Sequence, residues 1–206
     1  MESYSDDDCD VLELRLDALG IEGEALSFCQ RHQGRLPLLL TARDPAQGGL
    51  GSLSHAKRED HLQKLLQFAE AIDVEFLNFQ SFAQLRDLAI QNGCAIVASH
   101  HDFLGFDPVE IHDVLSEAQA AGATIAKAAV TLGSANDLFK FEALAAEFAG
   151  TPFSLMGMGP YAQVSRLLAA QHGSLLNYGY LGKEATAPGQ WPAALLKKAI
   201  AATPRL

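Results

Sequence analysis

The stretch DVLELRLD, Asp10–Asp17, sets Leu12, Leu14 and Leu16 against Glu13, Arg15 and Asp17 in strict alternation. A period of two is that of a β-strand, whose successive side chains face opposite ways. Three charges on one face of a buried strand are costly unless they pair with one another or meet a polar ligand. The leucines therefore pack against helices, and the charged face lines something polar. Outward from this strand the chain repeats one kind of unit. Pro37–Arg43, Ile72–Phe76, Cys94–His100, Thr124–Val130, Pro152–Met156 and Ser174–Tyr180 read mostly as continuous apolar runs, as strands do when helices cover them. Between them, Ser54–Glu70, Phe79–Asn92, Asp107–Ala121, Ala135–Phe148 and Ala162–Gln171 carry apolar residues at three- and four-residue intervals, the helical spacing. Gly34, Gly93, Gly122, Gly150 and Gly173 stand just before five of the strands, where helix C-termini end.

Alternating strand and helix implies a parallel sheet, because parallel strands need crossover connections. Further polar residues sit at strand ends: Arg43, Glu75, Ser99, His101 and Lys127. Catalytic groups collect at the C-terminal strand ends of a (β/α)8 barrel, and no glycine-rich phosphate fingerprint points to a dinucleotide site. The expectation is an α/β fold of the (β/α)8 TIM-barrel type, with residues 1–206 as one domain.

The 206 residues are 49% hydrophobic, which fits a packed core rather than disorder. Fifteen Lys and Arg against 25 Asp and Glu leave a formal charge of −10. That balance argues against nucleic acid or an anionic membrane surface as partner. An anionic ligand must be held by a local group of arginines. No apolar run approaches the ~20 residues that span a bilayer, and MESYSDDDCD, at residues 1–10, has no secretory character. Cys9, Cys29 and Cys94 are an odd number with no CxxC, the pattern of thiols in a reducing cytosol. His32, His55, His61, His112 and His172 lack paired metal-ligand spacing and read as surface residues.

The ordered motifs ELRLD (Glu13–Asp17), TARDPAQGG (Thr41–Gly49), DVE (Asp73–Glu75), SHHDF (Ser99–Phe103), IAKAAV (Ile125–Val130), MGPYAQVSR (Met158–Arg166) and TAPGQ (Thr186–Gln190) extend along almost the whole chain. None is specific alone. In this order, at strand ends and in the loops beyond them, the set resembles type I 3-dehydroquinate dehydratase. The resemblance implies a metal-free, cofactor-free lyase of the shikimate pathway of aromatic amino acid biosynthesis. Its reaction would be the reversible syn dehydration of 3-dehydroquinate to 3-dehydroshikimate through a lysine Schiff base. Lys127 would form the imine and His101 would be the general acid and base. Glu13, Arg15 and Arg43 would contact substrate, Arg166 would hold its carboxylate, and Thr186 and Gln190 would close from a loop. Glu75, Gln47 and Asp17 would support them. The resemblance also implies a further strand and helix before ELRLD, so the barrel is expected to lack its first β/α unit and to show seven strands. Gln47 stands where the family often has glutamate, Ala162 where it has glycine and Thr186 where it has serine.

The chemistry explains the residue types. A lysine amine attacks a ketone only when neutral, and an ordinary lysine is neutral in about one molecule in two thousand at pH 7. Desolvation or nearby positive charge favours the neutral form, and Arg43 and Arg166 are candidates for that charge. Histidine suits proton transfer near neutrality, and a guanidinium fits a carboxylate in two-pronged fashion. Each residue also has a plainer reading. Lys127 can be a strand-end lysine reaching water, Arg166 a solvated helix-terminus arginine, and His101 a packing residue. His100 faces the other way by alternation. Glu75 can hold His101 or join an ion network with Arg15. Two other function classes remain: an aldolase-like lysine-imine barrel, and a weakly active or non-catalytic paralogue. A cytoplasmic protein is expected, with a homodimer as a candidate assembly.

Overall fold

The computed structural model describes residues 5, 7–21, 24–183, 185 and 189–206. The chain divides into two compact units, Asp10–His100 and His101–Leu206.

The first unit runs β1 (Leu12–Arg15), α1 (Leu16–Leu19), α2 (Glu24–His32), β2 (Leu38–Thr41), α3 (His55–Leu65), β3 (Ala71–Glu75), α4 (Ala83–Gln91) and β4 (Ala95–Asp102). Residues His101 and Asp102, at the end of β4, fall in the second unit. β1, β2, β3 and β4 pair in chain order and in parallel. The register sets Arg15 opposite Thr41, Thr41 opposite Asp73, and Glu75 opposite Ser99. Polar side chains from successive strands are thus brought level. Leu12, Leu14 and Leu16 are buried as the alternation requires.

The second unit continues with α5 (Pro108–Ala120), β5 (Ile125–Thr131), α6 (Ala135–Glu147), β6 (Phe153–Met158), α7 (Ala162–Gln171) and α8 (Ala193–Ala202). β5 and β6 are parallel, with Lys127 opposite Ser154. Side-chain caps start the helices that precede these two strands, α5 and α6. Asp107 accepts from the Val109 and Glu110 amides, and Ser134 and Asp137 form a capping box. Gly122 and Gly150, which precede β5 and β6, have φ of 88° and 83°, the left-handed geometry that ends a helix cheaply only at glycine.

Two expectations need correction. β1 stops at Arg15 and the chain turns into α1, so Asp17 lies in a helical turn rather than on the strand. The Asp17 carboxylate draws the chain round by accepting from Arg15 and from the Leu50 and Arg43 amides. The described residues form six strands, not seven. Ser174–Tyr180 runs beside β6, but only Tyr180 makes a bridge, to Pro192. One backbone bond, Leu175 N to Phe153 O, and side chains stand in for a ladder there: Leu155 N donates to Ser174 Oγ and Ser154 Oγ to Leu176 O, while Asn177 Nδ2 donates to Ser174 O within the segment. No disulfide links Cys9, Cys29 and Cys94. Among the described residues no helix is long and apolar enough to cross a membrane.

Candidate active site

In the first unit the charged face of the strands is paired rather than open. Arg15 grips Asp17 with two hydrogen bonds, Nε–Oδ1 at 2.8 Å and Nη2–Oδ2 at 2.6 Å. Thr41 Oγ1 donates to Glu13 Oε1 at 2.7 Å. Arg43, only 3% exposed, meets Asp73 at 2.9 Å and Glu75 at 3.1 Å, and donates to Ser99 Oγ at 2.6 Å. Arg58, buried on α3, meets the other Glu75 oxygen at 2.7 Å and Asp44 at 2.7 Å. Glu75 sits in a buried ion network, with Arg43, Arg58 and the Asp44 amide as its partners. Two carboxylates already balance Arg43, so its charge is largely spent inside this network.

The TARDPAQGG motif has a structural role of its own. Asp44 caps the 3-10 turn Pro45–Gln47 by accepting from the Ala46 amide, and Gln47 is buried in that turn. Gly48 follows with φ 84°, and a Cβ at Gly49 would overlap the Arg43 carbonyl. The paired glycines let the loop fold back onto its own arginine.

The charges respond to these surroundings. Burial pushes the Asp17 carboxyl up, but the Arg15 hydrogen bond and the Leu50 and Arg43 amides outweigh it and hold the group below the usual aspartate range. The Asp17 hydrogen bond raises Arg15. Burial lowers Arg43, yet Asp73 and Glu75 more than reverse this and hold it firmly protonated.

In the second unit Lys127 lies in the middle of β5 and is 3% exposed, whereas the other lysines are exposed or half-buried. Its Nζ donates to the Tyr178 hydroxyl at 3.1 Å and lies 4.2 Å from the centre of that ring. Arg166, on α7 and 2% exposed, donates from Nη1 to the Tyr178 carbonyl at 3.0 Å and to Met156 Sδ at 3.5 Å. Tyr178 thus joins the lysine and the arginine. Among the described residues Arg166 Nε has no hydrogen-bond partner, and no carboxylate pairs with this guanidinium. Desolvation pushes its pKa down to about 10, still charged near neutrality. A buried cation without a counter-ion is costly, and a bound carboxylate would remove that cost.

Local packing explains how the SR of MGPYAQVSR holds this position. Ser165 Oγ accepts from the Gly157 amide at 3.1 Å and donates to Ala162 O at 2.9 Å, tying α7 to β6. A Cβ at Gly157 would collide with Ser165. Ala162 starts α7 in ordinary right-handed helical geometry, so no glycine is needed there. His101 is the penultimate residue of β4, its ring stacked on Phe103 at 6.3 Å. The chain after it is tied to the end of the lysine strand: Thr131 Oγ1 donates to Asp102 O at 3.2 Å and Thr131 N to Gly105 O at 3.0 Å. His100 is half-buried, with a buried Nε2 that has no partner among the described residues. Gln190 is half-buried in the loop before α8, and Thr186 lies outside the described residues. Sequence reasoning missed Tyr178 and Arg58. Tyr178 had only its place shortly after the arginine motif as a signal, and Arg58 had none.

Comparison with known proteins bears on the family and the fold. The family description "Type I 3-dehydroquinase" matches residues 1–204. A 3-dehydroquinate dehydratase of Methanothrix thermoacetophila is 32% identical over 182 residues, covering 88% of this chain and 76% of that protein. One from Methanosarcina barkeri is 32% identical over 204 residues, covering 93% and 84%. The crystal structure of the 3-dehydroquinate dehydratase from Geobacillus kaustophilus superposes with a TM-score of 0.84 at 24% identity, covering 95% of this chain and 82% of that one. This likeness bears out the α/β, TIM-barrel-type fold class read from the repeat. The chain belongs to the type I 3-dehydroquinase family.

Proposed function

We propose that this protein is a 3-dehydroquinate dehydratase, a cytoplasmic carbon–oxygen lyase of the shikimate pathway, with residues 1–206 acting as one catalytic domain. The observation that carries the reading is the second-unit cluster. A buried lysine and a buried, uncompensated arginine share one tyrosine, and each belongs to a family motif in the family's order. The lysine supplies a nucleophile and the arginine supplies a carboxylate site. A ligand with a ketone and a carboxylate, such as 3-dehydroquinate, engages both.

The roles follow the chemistry. The Lys127 amine condenses with the substrate ketone, the carbonyl oxygen leaves as water, and the imine nitrogen takes up one proton from solvent. His101 takes a proton from the adjacent carbon, and the electron pair flows into the imine to give an enamine. The enamine then expels the β-hydroxyl, which His101 protonates as it leaves as water. Hydrolysis of the product imine frees Lys127. Arg166 holds the carboxylate throughout, and Glu13, Arg15, Arg43, Thr186 and Gln190 contact substrate. Glu75 and Asp17 act as supports, keeping Arg43 and Arg15 in fixed geometry, and Gln47 supports from its buried turn.

A direct assay tests the activity. Purified protein given 3-dehydroquinate is expected to generate the conjugated enone of 3-dehydroshikimate, and Lys127→Ala is expected to generate none above the uncatalysed rate. No enone from the unaltered protein would leave the chain a binding paralogue.

A further inference from the structure

We propose that the Tyr178 hydroxyl is a catalytic proton relay for imine formation at Lys127, an assignment that rests on the imine reading above. The placement is specific. Lys127 Nζ, the reacting atom, donates to this hydroxyl at 3.1 Å. The same nitrogen lies 4.2 Å from the ring centre, close enough for the ring face to favour positive charge on it. A protonated imine carries that charge and the neutral attacking amine does not.

The tyrosine is held from several sides. Arg166 Nη1 donates to its carbonyl at 3.0 Å. Ser154, the register partner of Lys127 on β6, donates from Oγ to Leu176 O at 2.7 Å. Gly179 has no room for a side chain, since a Cβ there would overlap the Ala193 backbone. Tyr180 exchanges hydrogen bonds with Trp191 O and Ala193 N, both at 2.9 Å. The segment is therefore fixed against β6 on one side and the start of α8 on the other, and the phenol is fixed with it.

The step this geometry serves is a proton transfer between neighbouring atoms. The Nζ lone pair forms the C–N bond while the carbonyl π pair moves onto oxygen. Nitrogen then carries one proton too many and oxygen one too few. Tyr178 gives its hydroxyl proton to the alkoxide and takes one from Nζ, which yields a neutral carbinolamine and restores the phenol. The same exchange run backwards serves release of the product. A hydroxyl both donates and accepts, so one group suffices at a nitrogen that is shut off from bulk water.

The test separates imine formation from the chemistry that follows it. Protein and 3-dehydroquinate are mixed, quenched at intervals with borohydride, and the Lys127 adduct is followed by mass. In parallel, the isotope effect on turnover is measured with substrate deuterated at the carbon that loses the proton. Tyr178→Phe is expected to slow adduct formation by about a hundredfold, a typical loss for a proton-transfer group. Its isotope effect should collapse towards one, because imine formation becomes limiting. Tyr178→His, which keeps a group able to give and accept a proton, should recover part of the rate. Adduct formation in Tyr178→Phe at the unaltered rate would overturn the relay and leave the imine reading standing. So would a slower rate with the isotope effect intact, since displacement of the lysine slows every step alike. Absence of any Lys127 adduct in the unaltered protein would remove the imine reading itself, and the relay with it.

Discussion

Arg166 is the side chain whose surroundings most require a ligand. Its guanidinium is buried, and among the described residues it meets only a carbonyl and a thioether. Arg166→Ala is expected to weaken 3-dehydroquinate binding by about 2–5 kcal/mol, the cost of taking one partner from a buried charged pair. Arg166→Lys should restore only part of this, because a point charge cannot make two parallel hydrogen bonds. Equilibrium dialysis decides it, and unchanged affinity in both variants would return Arg166 to a structural role. For His101 the expected signature is kinetic. His101→Ala should lose about 10²–10⁴ in turnover while adduct with Lys127 still forms. A normal His101→Ala and an inactive His100→Ala would reverse the choice within the pair. Asp17 carries a pH prediction. Its carboxyl is held below the usual range in the folded chain, so the folded state takes up that proton less readily than the unfolded one. The stability it contributes is in place above the ordinary aspartate value of about 3.9 and is lost as pH falls through the lower folded value. The gap in melting temperature between the unaltered protein and Asp17→Asn should therefore be wide at neutral pH and narrow in strong acid. A gap that widens on acidification would contradict the assignment.

Among the elements, α3 does more than cover the sheet. Its Arg58 reaches Glu75 and Asp44 at 2.7 Å each, and so completes the charge balance around Arg43. Removing it leaves the Glu75 carboxylate with one arginine fewer in a buried setting, and breaking such a pair typically costs about 3–5 kcal/mol. Urea unfolding of Arg58→Ala should show a loss of that size. A change within about 0.5 kcal/mol, usual for a surface position, would mean the network relaxes without it. Nothing in HAKREDHLQKL marks Arg58 as buried, because charged residues surround it in sequence and the segment reads as a solvated helix face. Strands were more legible. Apolar runs located β2 to β6 to within a residue or two at each end, since burial on both faces leaves little choice of residue type. Ser174–Tyr180 misled for a physical reason. Its leucines and tyrosines suit a strand, but Ser174 and Asn177 satisfy the backbone through their side chains and displace the ladder.

At the level of the whole chain, fold class and family were legible because both rest on order. Strand–helix alternation recurs along the chain, and the motifs fall in sequence at strand ends. Roles set by three-dimensional neighbours were not legible. Arg43 reads in sequence as a strand-end arginine that would contact substrate, and nothing in the sequence marks its pairing with Asp73 and Glu75. Tyr178 reads as one aromatic of the expected strand Ser174–Tyr180, whereas the fold sets its hydroxyl on the lysine amine. The central claim remains a covalent one, that substrate is carried as an imine on Lys127. The measurement that tests it most directly is peptide mapping by mass spectrometry after borohydride reduction with 3-dehydroquinate present. One reduced adduct is expected, on the peptide containing Lys127, and none in Lys127→Ala. An adduct on an exposed lysine such as Lys140 or Lys183, or no adduct in a protein that still turns the substrate over, would contradict it.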